Sequence, residues 1–351
     1  MHETVLRDFG ERRIIEEVLR PRYGSSSDAF GDDCATFTVP PGHRLVVTTD
    51  PCPQPMAELL GFSDPYYRGW LLATINLSDL AAAGATPIGL LTSLILEPDM
   101  TLFNFKRLLD GIDDCCRANR TSVIGGNLKE GPRIDVQATA FGSVARRPLS
   151  RLGARPGDIL ALAGPAGEFW AGALSLRAAI SLDDDVLSEL LRPVLTPVPQ
   201  LAFGAALLQS GVRVSVMDNS DGLGPSLRTL SKTNQTGASL QLDGIPLNHR
   251  VLLAAGLLEV DPIRMIFGWG DWNLLIAISP RAIEEVRQTA SVLGVGLTEL
   301  GHLTADPELS LQRRGRSCRL TAPDSQRFAV DSWFTVGIDA YVEKLLGFEL
   351  P

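Results

Sequence analysis

Helix-like and strand-like segments alternate along most of the chain, and this alternation limits the folds that it can adopt. In the first part of the sequence, helical periodicity predicts helices at Glu11–Leu19, Arg68–Ala83 and Leu102–Ala118, and runs rich in β-branched residues predict strands at Arg44–Thr49, Thr121–Ile124 and Asp135–Val144. A chain that interleaves the two periods in this way is expected to form a mixed α/β (α+β) fold.

The character of the sequence changes at ARRPLSRLGARPGD, residues Ala145–Asp158, which is rich in Arg, Pro and Gly. A second alternation follows, with strands predicted at Ile159–Ala163, Val212–Met217, Ala238–Leu242 and Leu274–Ile278, and helices near Glu168–Ile180, Pro199–Gln209 and Pro225–Lys232. The length of 351 residues is sufficient for two domains. We therefore predict α/β domains at residues 1–148 and 149–351.

Charge and hydropathy exclude two classes of partner. The net charge of -9 and the pI near 5.1 argue against a nucleic-acid-binding surface, and the basic stretch QRRGRSCR, Gln312–Arg319, is predicted to be an exposed hairpin or loop. No apolar run approaches the ~20 residues of a membrane helix, and no signal peptide opens the chain. We therefore expect a cytoplasmic protein with neither nucleic acid nor membrane as a partner.

The cysteines and one acidic run are explained by packing or solvation and do not indicate a functional site. The five cysteines lack the spacing of a metal finger, and the adjacent Cys115 and Cys116 fall in a predicted helix, where we expect reduced, packed thiols. The acidic run Asp183–Asp185 lacks the alternating ligands of a Ca²⁺ loop, so we predict a solvated loop there.

A single carboxylate in INLSDLAAAGATP, residues Ile75–Pro87, is the most informative local feature. Asp79 follows Leu72 and Ile75 at helical spacing and shares their apolar face. Gly84 predicts the end of the helix soon afterwards, where the macrodipole disfavours a negative charge. Such a carboxylate requires protonation, a basic partner or a metal, unless the helix is shorter and Asp79 is an exposed terminal residue.

Similar acidic residues recur where predicted strands end. They occur in FGDDCA (Phe30–Ala35), VVTTDP (Val46–Pro51) and VSVMDNSDGLG (Val214–Gly224). Each one alone is explained by helix capping or an Asx-turn. Several of them at one site would repel one another without cations, and oxygen ligands of this kind select Mg²⁺ or Ca²⁺.

A glycine turn adds a candidate phosphate contact. In SVIGGNLKEG, Gly125 and Gly126 follow a predicted strand, so that backbone N–H groups could approach phosphate oxygens. The chain has neither a GxxxxGK[ST] motif nor the HRD and DFG motifs of protein kinases. The residues by themselves thus predict a soluble two-domain α/β protein with a Mg²⁺ site suited to a nucleotide.

The ordered motifs GDDCA, TTDP, NLSDLAAAGATP, GGN, LSRLGARPGD and DNSDGL resemble those of the thiamine-monophosphate kinases, a family of the aminoimidazole ribonucleotide (AIR) synthase superfamily. The resemblance covers most of the chain. It implies a two-domain AIR synthase-like fold, a homodimer that pairs N-terminal sheets, and Mg·ATP bound near the subunit interface.

The resemblance also implies site residues. The implied metal ligands are Asp33, Thr48, Thr49, Asp50, Asp79, Asn127, Asp218 and Asp221. The implied nucleotide contacts are Gly125, Gly126, Asn127, Arg151 and Ser220. Asp33, Asp50, Asp79, Arg151 and Asp221 would act in catalysis by neutralising charge on the transferred phosphoryl group. Asn76, one turn before Asp79, is expected to orient it by hydrogen bonding.

The chain departs from the family motifs mainly on the acceptor side. The family's GGD is Gly125-Gly126-Asn127 here, which removes one formal charge. Its GGEDYEL becomes GWGDWNL, Gly268–Leu274, and its substrate-side His and aromatic positions become Ala57 and Ile338. The implied acceptor-side residues are therefore Ala57, Trp269, Gly270, Asp271, Trp272 and Ile338. Loss of the His and Glu predicts a larger, less polar pocket, unless the tryptophans form a core cluster.

These observations predict an ATP- and Mg²⁺-dependent phosphotransferase that acts on a small-molecule acceptor other than, or in addition to, thiamine phosphate. Two alternatives stay open at this point. One is ATP-dependent cyclisation, dehydration or ligation through a phosphorylated intermediate. The other is a nucleotide-binding scaffold protein with weakened catalysis, which the Asn at position 127 would favour.

Overall fold

The computed structural model describes residues 4–24, 34–323 and 333–351, without the side chains of residues 333 and 334. Contacts divide the chain into two compact units. The first comprises Met1–Leu80 and Ala85–Arg147, and the second comprises Ala81–Gly84 and Pro148–Pro351. Each unit combines helices with one sheet, so the predicted mixed α/β fold class is confirmed.

The first unit is built on a four-stranded sheet. Its strands are β1 (Arg44–Pro51), β2 (Thr86–Leu96), β3 (Val123–Glu130) and β4 (Asp135–Val144), in the order β1-β4-β2-β3. Its helices are α1 (Leu6–Phe9), α2 (Glu11–Ile14), α3 (Arg20–Tyr23), α4 (Met56–Leu59), α5 (Tyr66–Ala82) and α6 (Leu102–Ala118), with a π-helical turn at Ile15–Leu19. β4 pairs antiparallel with β1 and β2, and β2 pairs parallel with β3.

Two glycines allow α5 and α6 to pack at unusually close range. A Cβ at Gly69 would lie 2.0 Å from the carbonyl oxygen of Leu108, and one at Gly111 would lie 1.9 Å from that of Tyr66. Each helix therefore requires glycine where the backbone of the other approaches. This contact fixes α5, the helix that carries Asp79.

The cysteines of α6 have the predicted packing role. Cys115 and Cys116 are fully buried against the helix pair. Burial raises the pKa of Cys115 to about 12 and also raises that of Cys116. Both side chains are therefore thiols and not thiolates at neutral pH.

The second unit contains a seven-stranded sheet of order β11-β10-β7-β9-β5-β8-β6. Its strands are β5 (Ile159–Ala163), β6 (Val214–Asp218), β7 (Gly237–Gln241), β8 (Leu274–Ile278), β9 (Leu297–Thr304), β10 (Leu309–Arg313) and β11 (Arg316–Arg319). Its helices are α7 (Glu168–Arg177), α8 (Asp184–Leu195), α9 (Leu201–Ser210), α10 (Leu223–Asn234), α11 (His249–Leu257), α12 (Ile283–Leu293) and α13 (Trp333–Gly347), with a 3₁₀ helix at Pro262–Phe267. Among the strands that the structure describes in this sheet, β10 and β7 pair in parallel and the other neighbours pair antiparallel.

Three local predictions can be compared with this structure. The basic stretch Gln312–Arg319 belongs to the β10–β11 hairpin, as predicted. The acidic run Asp183–Asp185 was predicted to be a loop, but it caps and opens α8, where the positive end of the helix dipole favours carboxylates. In the parts of the chain that the structure describes, no helix combines the length and apolar character needed to span a bilayer.

Candidate functional site

Asp79 lies near the C-terminal end of α5 and is half-buried. The Thr48 hydroxyl on β1 donates a hydrogen bond of 2.5 Å to its carboxylate. Among the described residues, no Lys, Arg or His pairs with Asp79. Because α5 continues to Ala82, the alternative of a shorter helix with an exposed Asp79 is wrong. The structure thus leaves a carboxylate at the unfavourable end of a helix without a cationic partner.

Asn76 fixes β1 against α5. Its side-chain Oδ1 accepts from the backbone N–H of Asp50 at 3.1 Å, and its Nδ2 donates to the carbonyl oxygens of Asp50 at 3.3 Å and Leu72 at 3.0 Å. Asn76 is completely buried, so these bonds are shielded from water. The prediction that Asn76 orients Asp79 directly is wrong: it positions the strand end that carries Thr48 and Asp50.

The structure does not bring all the predicted ligands of the first unit together. Thr49 points to the opposite face of β1 from Thr48, and its hydroxyl donates to the carbonyl of Ala138 at 3.0 Å and accepts from Thr139. Asp33 lies outside the described residues. Within the described ranges, no group of three or more His, Cys, Asp or Glu side chains is arranged to hold a metal ion.

The predicted glycine turn is wrong, because Gly125 and Gly126 lie inside β3, at the other edge of the sheet from β1. Asp50 pairs with Ala138, Ala138 with Thr92, and Thr92 with Gly126, so Asp50 and Gly126 are three strand spacings, or roughly 14 Å, apart. A Cβ at Gly126 would lie 2.3 Å from the Thr92 carbonyl oxygen, which makes glycine necessary there. Within one chain, Gly125, Gly126 and Asn127 therefore cannot share a coordination shell with Asp50.

In the second unit, β6 ends at Asp218 and the chain turns into α10. Asp218 and Ser220 are half-buried and Asp221 is exposed, so all three side chains can reach a ligand. Gly222 has φ +94°, and a Cβ there would lie 2.7 Å from the carbonyl oxygen of Phe267. The turn therefore depends on glycine at this position.

A pair of buried asparagines supports this turn. Asn219 donates from its Nδ2 to Oδ1 of Asn273 at 2.9 Å and from its backbone N–H to the Asn273 carbonyl at 3.0 Å. Asn273 donates in turn to the carbonyl of Pro165 at 2.5 Å. The sequence analysis did not identify either asparagine as a supporting residue. The sequence did contain an indication of this pair, because one asparagine directly follows β6 and the other directly precedes β8.

Arg151 belongs to a segment that Asn234 holds beside β6. Oδ1 of Asn234 accepts from the N–H groups of Gly153 at 2.8 Å and Ala154 at 3.1 Å, and its Nδ2 donates to the carbonyl of Arg151 at 2.8 Å. The Arg151 side chain is exposed and makes no hydrogen bond or ion pair with the residues that the structure describes. Its guanidinium is thus available to an anion near the strand that ends at Asp218.

Four of the predicted acceptor-side residues, Gly270 and the three described next, are buried. Ala57 has no exposed surface, and Asp271 and Trp272 are 3% and 8% exposed. Asp271 accepts from the N–H groups of Gly167 at 2.6 Å and Phe169 at 2.8 Å, so it caps the start of α7. The predicted substrate contacts of these four residues are corrected accordingly, since a buried residue has no surface to offer a ligand. Ile338 is half-buried, and its contact with a substrate stays a prediction.

An aromatic cluster occupies the space that the sequence analysis expected to be open. The rings of Phe169, Trp170, Trp269 and Tyr341 lie with centroids 5.3–6.1 Å apart. A Cβ at Gly270, where φ is +108°, would lie 2.7 Å from the Phe169 ring. The prediction of a larger pocket is wrong at Gly270, and Trp269 belongs to the core cluster that was the alternative.

We expect the free energy of unfolding to depend on pH through Asp271. Burial raises its pKa to about 7, although its two backbone donors oppose that rise. Because the pKa of an unfolded Asp is about 3.9, the native state holds the proton more tightly, and stability falls as pH rises from about 4 to 7. The measurement is the free energy of unfolding by urea, for the wild type and for Asp271→Asn, at several pH values between about 4 and 7. We expect the difference between the two proteins to shrink as the pH rises, by a few kcal/mol at most, because one pKa unit corresponds to about 1.4 kcal/mol. An advantage that stays constant or grows would contradict the assignment.

Comparison with known proteins defines the class of protein that carries these features. The family model of the AIR synthase related protein, N-terminal domain, matches residues 31–144. A thiamine-monophosphate kinase of Escherichia coli K12 is 30% identical over 80% of this chain and 85% of the relative. A carbamoyl dehydratase HypE of Cupriavidus necator is 28% identical over 72% of this chain and 71% of the relative.

The solved structures agree in fold. A thiamine-monophosphate kinase from Stenotrophomonas maltophilia K279a has a TM-score of 0.72 at 22% identity and covers 90% of this chain and 99% of its own. The chain therefore belongs to the AIR synthase superfamily. Within that superfamily it is a thiamine-monophosphate kinase-like protein, which places it among ATP-dependent kinases.

Proposed function

We propose that this protein is an ATP- and Mg²⁺-dependent phosphotransferase that transfers the γ-phosphoryl group of ATP to a small-molecule acceptor. The observation that carries the proposal is Asp79, a half-buried carboxylate at the C-terminal end of α5 with only the Thr48 hydroxyl as a partner among the described residues. A divalent cation is the counter-charge that such a site lacks. The donor set of carboxylate and hydroxyl oxygens fits Mg²⁺.

Each unit carries its own set of proposed ligands. In the first unit they are Asp33, Thr48, Asp50 and Asp79, with Gly125, Gly126 and Asn127 facing phosphate oxygens. In the second unit they are Asp218, Ser220, Asp221 and Arg151. When bound, Mg²⁺ would screen the negative charge of the phosphates. The chain's own part is to hold the backbone of Asp50 and of Arg151 in place, through Asn76 and Asn234 respectively.

We infer that the acceptor differs from thiamine phosphate. A ThiL protein solved with AMPPCP and TMP shares the fold, with a TM-score of 0.71 at 22% identity. In this chain the family's Glu is replaced by Gly270, and the ring of Phe169 lies where a side chain would begin. This substitution supports a changed acceptor, because it removes a charged group and leaves no room for it.

A second candidate is ATP-dependent dehydration through a phosphorylated intermediate. The similarity to a carbamoyl dehydratase HypE over 72% of this chain favours it. The two functions differ in the fate of the phosphoryl group. A kinase leaves it on the acceptor, whereas dehydration ends in free phosphate and a product that has lost the elements of water.

The experiment is ³¹P NMR of the purified protein with Mg·ATP and a panel of acceptors, including thiamine phosphate. We expect ADP and a new phosphomonoester signal with an acceptor other than thiamine phosphate. The signals of a diphosphate formed from thiamine phosphate would contradict the changed acceptor. ADP with only inorganic phosphate and a dehydrated acceptor would support the second candidate instead. Binding of Mg·ATP without turnover of any acceptor would indicate the scaffold alternative, and a folded protein that binds no Mg·ATP would contradict both enzymes.

We further propose a homodimer formed through the first unit's sheet. β1 is an edge strand, and its outward-facing Leu45 and Val47 are 45% and 50% exposed. Apolar side chains on an edge strand are a feature that proteins usually cover. A cytoplasmic location stays a prediction.

A further inference from the structure

A cleft of about 530 Å³ opens in the second unit beside the end of the sheet where β6 begins. Arg155, Arg213, Arg281, Ser279 and Glu285 contribute to its wall. β6 runs from Val214 at this end to Asp218 at the other, so the cleft lies more than about 13 Å from the carboxylates at the strand's C-terminal end. It is therefore separate from the site proposed for ATP.

One of the three arginines is held in place by a buried carboxylate. The guanidinium of Arg213 donates to both oxygens of Asp158, at 2.5 and 2.8 Å, and Asp158 is 1% exposed. Asp158 also accepts from the backbone N–H of Arg155 at 2.8 Å. This arrangement neutralises Arg213 and at the same time fixes both arginine-bearing segments at the cleft.

Three other polar side chains of the wall have no partner among the residues that the structure describes. Among the described residues, neither Arg155 nor Arg281 pairs with a carboxylate. Ser279 is 8% exposed, and its hydroxyl makes no hydrogen bond with any of those residues. A serine hydroxyl at the wall of a cleft is a donor that a ligand or a water can satisfy. Two guanidinium groups and one hydroxyl without a partner in the described part of the chain thus line the same cleft, in a protein whose net charge is -9.

We propose that this cleft binds the phosphate group of a small phosphorylated molecule. Guanidinium groups match the geometry of phosphate oxygens, and a serine hydroxyl supplies a further donor. α12 begins at the cleft with Ala282 as its N-cap, and so its first N–H groups have no side-chain cap. The volume falls in the range of small-molecule sites and exceeds that of a free phosphate ion, so the ligand carries an organic part.

Glu285 determines the character of that organic part. Its carboxylate lines the same cleft and would repel a second anionic group of the ligand. A carboxylate accepts hydrogen bonds from hydroxyl or amino groups. The site is therefore suited to a phosphomonoester that carries such a donor, and less suited to a bisphosphate or a phosphorylated carboxylic acid.

The test is a calorimetric titration of the full chain with glycerol phosphate at fixed ionic strength. We expect the double variant Arg155→Gln/Arg281→Gln to bind at least about tenfold more weakly than the wild type. The matched control is Arg316→Gln/Arg319→Gln, which makes the same change of charge on the exposed strand β11 and is expected to change affinity less than about twofold. Equal losses in the two double variants, or no binding by the wild type, would overturn the proposal.

A second variant tests the cleft in case the arginine variants fail to fold. Ser279→Ala removes one hydroxyl at unchanged charge, and we expect about a three- to tenfold loss of affinity for glycerol phosphate with an unchanged melting temperature. If affinity is unchanged in Ser279→Ala and in a folded Arg155→Gln/Arg281→Gln protein, the cleft does not bind phosphate.

Discussion

Replacing Asp79 with asparagine is expected to reduce Mg²⁺-dependent ATP turnover by about 100-fold or more, while the protein stays folded. An asparagine still offers an oxygen to the Thr48 hydroxyl but cannot provide the charge that a divalent cation needs. Stability should rise by about 0.3–1 kcal/mol, because the variant removes a negative charge near the C-terminal end of α5. Urea denaturation and steady-state ADP formation measure the two effects on the same samples.

The opposite changes in stability and activity make this prediction specific. The control is Asp114→Asn, which removes a carboxylate near the C-terminal end of the neighbouring α6. Asp114 has partners, since it accepts from the Tyr66 hydroxyl at 3.1 Å and from Arg117 at 2.6 Å. We therefore expect Asp114→Asn to lose a little stability and to keep its turnover. An Asp79→Asn protein that unfolds, or that retains full turnover, would show that Asp79 is structural.

The second large effect is expected at Gly270, where alanine should destabilise the second unit by about 2–4 kcal/mol. The new Cβ would lie 2.7 Å from three atoms of the Phe169 ring, at a φ of +108° that other residues rarely adopt. The Phe169 ring cannot move away from the new Cβ without displacing Trp170 and Trp269, against which it packs. The measurement is urea denaturation, followed by tryptophan fluorescence, which reports directly on this cluster.

Two comparisons isolate the role of Phe169. Gly256→Ala, in the last turn of α11 with no atom within 4 Å of the new Cβ, should gain at most about 0.5–1 kcal/mol from helix propensity. In the Phe169→Ala background, Gly270→Ala should cost less than it does in the wild type, because the ring is absent. Equal costs in the two backgrounds would attribute the effect to the backbone angle alone.

The sequence was sufficient to predict features that depend on local periodicity and charge. The spacing of apolar residues predicts the alternation of strands and helices in both units. Residue spacing along one helix also predicts that Asp79 lies at the helix end where a negative charge is unfavourable. β2 was not predicted, although it is central in its sheet, since TPIGLLTSLIL reads as neither a clear alternation nor a helical face. Apolar residues occupy both faces of this strand, although only alternate positions from Leu90 to Leu96 are buried, so the sequence lacks the period that identifies a strand.

The errors arose where two distant segments meet. Replacement of Glu by Gly270 was interpreted as added space, and only the fold shows that Phe169, from the start of α7, fills it. Asp271 was expected to face the substrate, yet it caps that same helix. Asn76 was paired with its helical neighbour Asp79, whereas it bonds to β1. Helical spacing and motif position cannot reveal contacts of this kind, because they report only on neighbours along the chain.

The bonds that Asn234 makes have an evolutionary consequence. This residue ends the 12-residue helix α10, which begins directly after Gly222, and its side chain holds the segment of Arg151. Insertion or deletion of one residue within α10 would rotate Asn234 by about 100° around the helix axis and release that segment. Lineages of this protein can therefore vary the exposed positions of α10, but the length of the helix is fixed by the spacing between Gly222 and Asn234.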